Sequence, residues 1–333
     1  MIKVVKSGML TTVQDLGRFG YQKHGVIASG VMDPEAHRIA NLLVGNNSNS
    51  PTLEITLVGP ELEFQEDALI SICGGNSSPM IDGSPVGLWR PIYIKAGSEL
   101  RFGNIKEGCR SYLAVAGGYA VPEIMNSTST YLRAGIGGYE GRALQKNDLL
   151  STLEMSEFSS SMLKELKEYA GNVNWKAMDW YVATEFIPKH ADSNQIRVMK
   201  GREFDWFTKE SQTALVSEAF SVDTKSDRMG YRLKGVPLKT ANKQNMISEA
   251  VAFGTVQVPS EGNPIVLLAD RQTTGGYPKI AQVASVDLPK MAQLKPGEKI
   301  KFTMISHEDA QQLFLERERL IQQLAQGIKL KYR

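Results

Sequence analysis

Four short segments gather acids, bases and hydroxyls beside glycines, and they are where chemistry is expected. The first is Thr11-Thr-Val-Gln-Asp-Leu-Gly-Arg-Phe-Gly-Tyr21, continued by Ser29-Gly-Val-Met-Asp33. Asp15 and Arg18 stand three apart across a glycine, so they either pair with each other or face one ligand; Gln14, Tyr21, Ser29 and Asp33 add further polar groups. Asp33 precedes Pro34 and reads as a helix N-cap, which would place helix N–H groups near a bound anion. The second segment, Arg133-Ala-Gly-Ile-Gly-Gly-Tyr-Glu-Gly-Arg142, either presents several backbone N–H groups to an anion flanked by Arg133 and Arg142, or is a plain glycine-rich hairpin. The third, Ser226-Asp-Arg-Met-Gly-Tyr-Arg232, sets Asp227, Arg228 and Tyr231 around one glycine, and a guanidinium fork matches carboxylate or phosphate oxygens. The fourth, Ala269-Asp-Arg-Gln-Thr-Thr-Gly-Gly-Tyr-Pro-Lys279, follows the apolar run from Pro264 and so lies at a strand exit. Asp270, Arg271, Gln272, Thr273, Thr274, Gly275, Gly276, Tyr277 and Lys279 there supply an acid, cations, hydroxyls and an anion-binding backbone.

Other chemistries lack their residues. The four histidines are scattered, and no H-E-x-x-H or C-x-x-C spacing occurs, so no built-in metal site is expected. The glycine loop is neither a Walker A loop nor G-x-G-x-x-G, and no G-x-S-x-G elbow is present. His24, beside the first segment, is a possible acid or base. Lys plus Arg is 38 against 36 for Asp plus Glu, a net charge of +2, which leaves no electrostatic footprint for nucleic acid. Cys73 and Cys109 are too few for a disulfide framework and read as small buried hydrophobes in a reducing compartment. No apolar run approaches the ~18 residues of a membrane span, and Met1–Lys6 reads as a strand rather than a signal peptide. The cytoplasm is the expected location, with neither nucleic acid nor membrane as partner.

The elements that must position these residues are mostly strands. With 333 residues the chain favours two domains at roughly 100–200 residues each. Short β-branched runs closed by Gly, Pro, Asn or Asp predict strands over 53–58, 69–73, 92–95, 99–102, 111–115, 197–200, 254–258, 265–269 and 299–305. One early helix is well marked over 33–44: Asp33 caps, Pro34 opens, Ala36, Ile39, Ala40 and Leu43 face inward, and Gly45 stops it. Helices are also expected over 161–169 and from 306 or 307 to 326. Ala96-Gly-Ser-Glu-Leu-Arg-Phe102 resembles Lys295-Pro-Gly-Glu-Lys-Ile-Lys-Phe302, with Lys146-Asn-Asp-Leu-Leu150 a shorter echo, which is either a chance similarity among turns or the mark of two β domains of related fold. The Ser-rich, charged stretch from 151 to 190 is the expected boundary, giving units at 1–190 and 191–305 and a C-terminal helix at 306–333.

The motifs Thr11–Tyr21, Ser29–Asp33, Ser111-Tyr-Leu-Ala-Val-Ala-Gly-Gly118, Ser226–Tyr231 and Ala269–Lys279 together resemble the allophanate hydrolase subunit 2 family, also called the biotin-dependent carboxyltransferase family. The resemblance covers about residues 5 to 305, departing at Val31, where the family commonly has Ala, and at Asn126. It implies a mainly β fold of two cyclophilin-like β-barrel subdomains. It implies work as the C subunit of an ATP-dependent 5-oxoprolinase, opening 5-oxoproline to L-glutamate beside an A subunit and a B subunit, the latter of similar fold. The complex would use ATP and Mg²⁺, with the subunit that binds ATP left open; no biotin-accepting Met-Lys-Met segment is present. The alternatives are a carboxyltransferase acting on urea or a related amide, and a non-enzymatic partner that sequesters a sporulation-kinase inhibitor.

A lactam resists water because it is resonance-stabilised, and phosphorylating its oxygen makes the ring carbon electrophilic. Such chemistry needs a fork for the substrate carboxylate, cations on phosphate, and a carboxylate to take a proton or hold Mg²⁺. The resemblance puts Arg228 and Arg271 forward for the fork, Lys279 and Arg18 for phosphate, and Asp15, Asp227 and Asp270 for base or metal. Arg271→Ala and Asp270→Asn are then expected to abolish turnover with the thermal midpoint nearly unchanged.

Overall fold

The computed structural model describes residues 1–187, 194–242 and 246–331. The chain divides into two compact units, one of Met1–Arg18, Asp33–Pro188 and Leu320–Arg333, the other of Phe19–Met32 and Lys189–Arg319. The expected boundary at 190/191 lies outside the described residues. The short segment Phe19–Met32, flanked on both sides by the first unit, packs with the second.

The first unit is built on two six-stranded antiparallel sheets. One orders Leu149–Leu150, Ile2–Lys6, Glu61–Phe64, Glu99–Arg101, Met80–Ile81 and Ser84–Pro85; the other orders Trp175–Ala177, Pro91–Ile94, Ala68–Asn76, Glu107–Val115, Thr52–Thr56 and Leu10–Gln14. Alternate residues from both sheets, among them Val4, Leu62, Ile70, Ile72, Leu100 and Leu113, share one core. The central strands Ala68–Asn76 and Glu107–Val115 are instead buried nearly throughout. The reason is the helix Pro34–Leu43, which packs on their other face and gives continuous apolar runs in place of alternation. That helix forms as its sequence demands: Asp33 Oδ1 accepts from the Ala36 N–H at 3.0 Å, Pro34 sits at N1, and Ala36, Ile39, Ala40 and Leu43 are fully buried. A second helix, Glu157–Ala170, is capped by Ser156 and starts four residues before its expected position.

The second unit closes into a seven-stranded barrel, ordered Gln195–Lys200, Lys279–Val283, Thr255–Gln257, Ile265–Leu267, Gly230–Lys234, Ala219–Val222 and Lys299–Met304. The closing pair, Gln195–Lys200 with Lys299–Met304, is parallel. Along Lys299–Met304 the lysines point out while Ile300 and Phe302 enter the barrel core. Met32 belongs to that core, which anchors the exchanged segment. The chain is mainly β, the class its strand signals predict. Two helices in this unit, Lys209–Ser217 and Leu288–Gln293, carry too little apolar periodicity to be read from sequence, and the C-terminal helix runs from His307 to Lys331.

The weak internal repeat is a repeated turn. Ser98 N–H donates to Lys95 C=O at 3.1 Å, Glu298 N–H to Lys295 C=O at 3.1 Å and Asp148 N–H to Gln145 C=O at 3.2 Å. In each turn the third residue is left-handed, Gly97 at φ 88°, Gly297 at 89° and Asn147 at 73°. This position of a type II turn favours Gly or Asn for that reason. Two copies feed strands of the first unit and one feeds the barrel.

Candidate active site

At one end of the barrel, the ladder between Gly230–Lys234 and Ile265–Leu267 continues past the strands: Leu268 N–H donates to Met229 C=O at 3.0 Å and Asp270 N–H to Arg228 C=O at 2.9 Å. The antiparallel register therefore sets the side chains of Arg228 and Asp270 together. Arg228 grips Asp270 from both sides, Nε to Oδ2 at 2.9 Å and Nη2 to Oδ1 at 3.0 Å, and Nη2 also donates to the Gly30 carbonyl. Ser29 Oγ donates to Asp270 Oδ1 at 2.7 Å. Ser29 holds a left-handed backbone, φ 54°, which is uncommon for a residue with a side chain. All three residues are buried. The fork expected to take a substrate carboxylate is thus closed on a carboxylate of the protein itself.

Arg271, the next residue, has a different setting. Its guanidinium is half-buried, lies 5.7 Å from the Phe253 ring centroid, and reaches only two carbonyls at long distance, Leu268 at 3.3 Å and Val251 at 3.5 Å. Among the described residues no carboxylate pairs with it. Burial pulls its pKa below the usual arginine value, though an arginine stays charged at any physiological pH. An unpaired, partly desolvated guanidinium at a strand exit is suited to an oxyanion. Thr273 and Thr274 follow, the latter in a short pairing of Thr274–Gly275 with Glu249–Ala250. Gly275 packs against the Gln257 amide, which would have to move to admit a Cβ placed 2.1 Å from its Nε2. Gln272, Gly276 and Tyr277 are exposed beyond it.

Lys279 is buried and held by two acids: Nζ lies 3.1 Å from Glu249 and 3.7 Å from Glu203, and its backbone N–H donates to Glu203 at 3.0 Å. Arg202 reaches the same Glu249 oxygen at 2.8 Å. The hydrogen bond from Lys279 is the main reason that Glu249 ionises below the ordinary glutamate range. Arg202, Glu203 and Glu249 were not singled out by sequence. Glu203 stands beside Arg202, but Glu249 is brought in only by the small sheet.

In the first unit, Asp15 is wrapped in donors. It accepts from Ser127 Oγ at 2.8 Å, Thr128 N–H at 2.7 Å, Thr128 Oγ1 at 3.1 Å, Gly17 N–H at 2.8 Å and Ser129 Oγ. Arg18, fully buried, donates to the carbonyls of Ile124 at 2.9 Å and Ser129 at 3.0 Å. Gln14 Nε2 donates to Thr12 Oγ1 and to the Thr130 carbonyl. These residues thus lock the run Ser127-Thr-Ser-Thr130 in place, and that unbroken hydroxyl run was the sequence signal for it. The glycine-rich loop joins the same cluster. A Cβ at Gly137 would stand 2.0 Å from the Ser129 carbonyl, and one at Gly138 1.8 Å from Thr130 Oγ1. These glycines therefore let the loop pack closely on the Ser129 backbone and the Thr130 side chain. Arg142 is clamped by Asp148 at 2.7 and 2.9 Å and by Glu140 at 2.7 Å.

The other expected site residues lie apart from this strand exit in local settings of their own. Asp33 caps its helix, and its N–H donates to Tyr112 Oη at 2.8 Å. Asp227, exposed, accepts from Met229 N–H at 2.8 Å within a turn. Tyr231 is a barrel-core residue whose hydroxyl donates to the Leu294 carbonyl at 3.2 Å. Tyr21 precedes the short helix Gln22–His24, in which His24 is exposed. Cys73 and Cys109 are buried free thiols. No described helix is long and apolar enough to cross a membrane. Among the described residues, no three His, Cys, Asp or Glu side chains are placed to hold a metal ion, and Asp15 and Asp270 already commit their oxygens to protein donors. Of the three carboxylates put forward for Mg²⁺, Asp227 has one oxygen with no hydrogen-bond donor among the described residues.

A mainly β chain with a barrel whose strand exit carries Asp270, Arg271 and two threonines defines the class of protein to be matched. The family described as carboxyltransferase domain, subdomains A and B, matches residues 24–304, and the chain belongs to it. Over 325 residues the chain is 39% identical to the C subunit of 5-oxoprolinase from Escherichia coli, covering 98% of both proteins. It is 37% identical to the protein of the same name from Haemophilus influenzae, covering 97% of both. Among solved structures, the Kluyveromyces lactis urea amidolyase superposes with a TM-score of 0.86 at 31% identity, over 97% of this chain but only 20% of that one.

Proposed function

We propose that this chain is the C subunit of an ATP-dependent 5-oxoprolinase and acts in the cytoplasm, together with the A and B subunits of that enzyme, to open 5-oxoproline to L-glutamate. The observation that carries the reading is the end-to-end match to two proteins named as the C subunit of 5-oxoprolinase, with no large part of either protein left over. ATP and Mg²⁺ are handled by the assembled complex. Phosphoryl transfer from ATP to the lactam oxygen leaves C5 open to water; the resulting adduct breaks its C5–N bond as the ring nitrogen takes a proton, and a second water cleaves the γ-glutamyl phosphate so formed to glutamate and phosphate. On this chain, Arg271 is the group for the anionic oxygens, because no carboxylate among the described residues answers its charge. Thr273 and Thr274 supply hydroxyl donors beside it. Asp270 is the neighbouring acceptor, held in one orientation by Arg228 and Ser29, and Lys279 is a cation kept in place by Glu203 and Glu249.

The test is co-purification of this chain with the A and B subunits, followed by glutamate release from 5-oxoproline. ATP-dependent glutamate from the three-part complex, absent when this chain is withheld, is the expected result. No ATP-dependent glutamate with all three present would sink the reading. A second reading, carboxyl transfer to urea or a related amide, is favoured by the superposition on urea amidolyase. The chain spans about a fifth of that protein, and urea-dependent turnover with a biotin carboxylase and carrier is the distinguishing outcome of this reading.

A further inference from the structure

The first unit contains a cavity of about 550 Å³ lined by Glu165, Tyr169, Met178, Asp179, Trp180 and Lys331. Glu165 and Tyr169 lie four residues apart on the helix Glu157–Ala170, so a carboxylate and an aromatic ring project from adjacent turns of one face. The segment 178–180 supplies the facing thioether, acid and indole. Tyr169 Oη donates to Asp179 Oδ2 at 2.9 Å, which fixes that ring and that carboxylate relative to each other. Glu165 has no hydrogen bond or ion pair among the described residues.

Two ammonium groups of the protein already use these rings. Lys176 Nζ lies 4.2 Å from the Tyr169 centroid, and Lys331 Nζ, at the end of the C-terminal helix, lies 5.5 Å from the Trp180 centroid. Both distances are within the ~6 Å at which a ring face attracts a cation. Among the described residues, Lys331 has no carboxylate partner, so its one specific contact is the ring it covers. We propose that this cavity is a binding site for a small alkylammonium ion, which lies against Tyr169 and Trp180, takes Glu165 and Asp179 as counter-charges, and displaces Lys331 from the indole face. Nothing in the proposal depends on 5-oxoproline chemistry.

The experiment titrates the full chain with choline and, in parallel, with 3,3-dimethylbutan-1-ol, the uncharged molecule of the same shape, by calorimetry or by chemical-shift perturbation. Saturable choline binding is expected, with the alcohol at least about ten-fold weaker. Tyr169→Ala and Trp180→Ala should each weaken choline roughly two- to thirty-fold. Glu165→Gln should weaken it, and Lys331→Ala should tighten it by freeing the indole. Tyr169 and Glu165 are exposed, so those two variants remain folded and keep the test decisive if Trp180→Ala does not. Equal binding of choline and the alcohol, no saturable choline binding up to millimolar concentration, or choline binding untouched by Tyr169→Ala would each overturn the proposal.

Discussion

Arg228 and Asp270 form a closed, buried, two-point ion pair, Nε to Oδ2 at 2.9 Å and Nη2 to Oδ1 at 3.0 Å, with Ser29 and the Gly30 carbonyl completing it. Removing one member of such a pair strands the other as a buried charge, at a cost of about 3–5 kcal/mol. Arg228→Ala is therefore expected to lower the urea-unfolding free energy by that amount, and Asp270→Asn to lower it too. This revises the sequence-based expectation that Asp270→Asn leaves the thermal midpoint alone. An Arg228→Ala protein within about 1 kcal/mol of the parent would show that the pair is not closed in solution.

Arg271 should behave in the opposite way. It is half-buried and has no acid to strand among the described residues, so Arg271→Ala is expected to change stability by no more than about 0.5 kcal/mol. In the assembled complex it should cost on the order of a hundred-fold in turnover, the scale of losing one donor to a developing oxyanion. Unchanged turnover in the glutamate-release assay would remove Arg271 from the site.

Asp15 reads as a structural acceptor. Asp15→Asn keeps the shape but gives up an acceptor among five donors, and a loss of about 1–3 kcal/mol is expected in chemical denaturation. If Asp15 were instead the general base, the variant would keep its midpoint and lose only turnover.

His37 makes stability fall in mild acid. It is fully buried, and burial depresses its pKa from 6.5 to about 4. The unfolded chain therefore binds a proton that the folded chain refuses between those two values. The stability from its neutral, buried form is complete above pH 6.5 and is lost as pH falls toward about 4, by up to about 1.4 kcal/mol for each pH unit crossed. Denaturation of the parent and of His37→Gln at neutral pH and near the lower end of this window isolates the effect, because the acidic side chains are common to both. Parallel acid losses in the two proteins would refute it.

Much of this molecule could be read locally. The helix Pro34–Leu43 announced itself through Asp33, Pro34 and Gly45, because capping and stop signals act within a turn of the residues that carry them. The turns at 95–98 and 295–298 were visible for the same reason. Long-range partners were not. Asp15 and Arg18, three apart and suggestive of a pair, bind instead to a run more than a hundred residues on. Arg228 looked like an open fork because nothing near it in sequence marks Asp270 and Gly30 as its partners. Glycines 137 and 138 signalled close approach, but not that the approaching groups were the protein's own Ser129 carbonyl and Thr130 side chain.

The exchanged segment Phe19–Met32 also sets an order of events during synthesis. Ser29 leaves the ribosome 241 residues before its partner Asp270, an interval of roughly 10–50 s at ordinary elongation rates. Until then Ile27, Ala28, Val31 and Met32, all buried in the finished protein, lack the unit they pack with, and Met32 has no barrel to enter. Nascent chains stalled before Arg228 should accordingly be cut by protease within 19–32, and chains stalled after the barrel has closed should resist. For most of the chain's own birth the early loop is an unsatisfied apolar tether, and it is the point at which a chaperone would have most to hold.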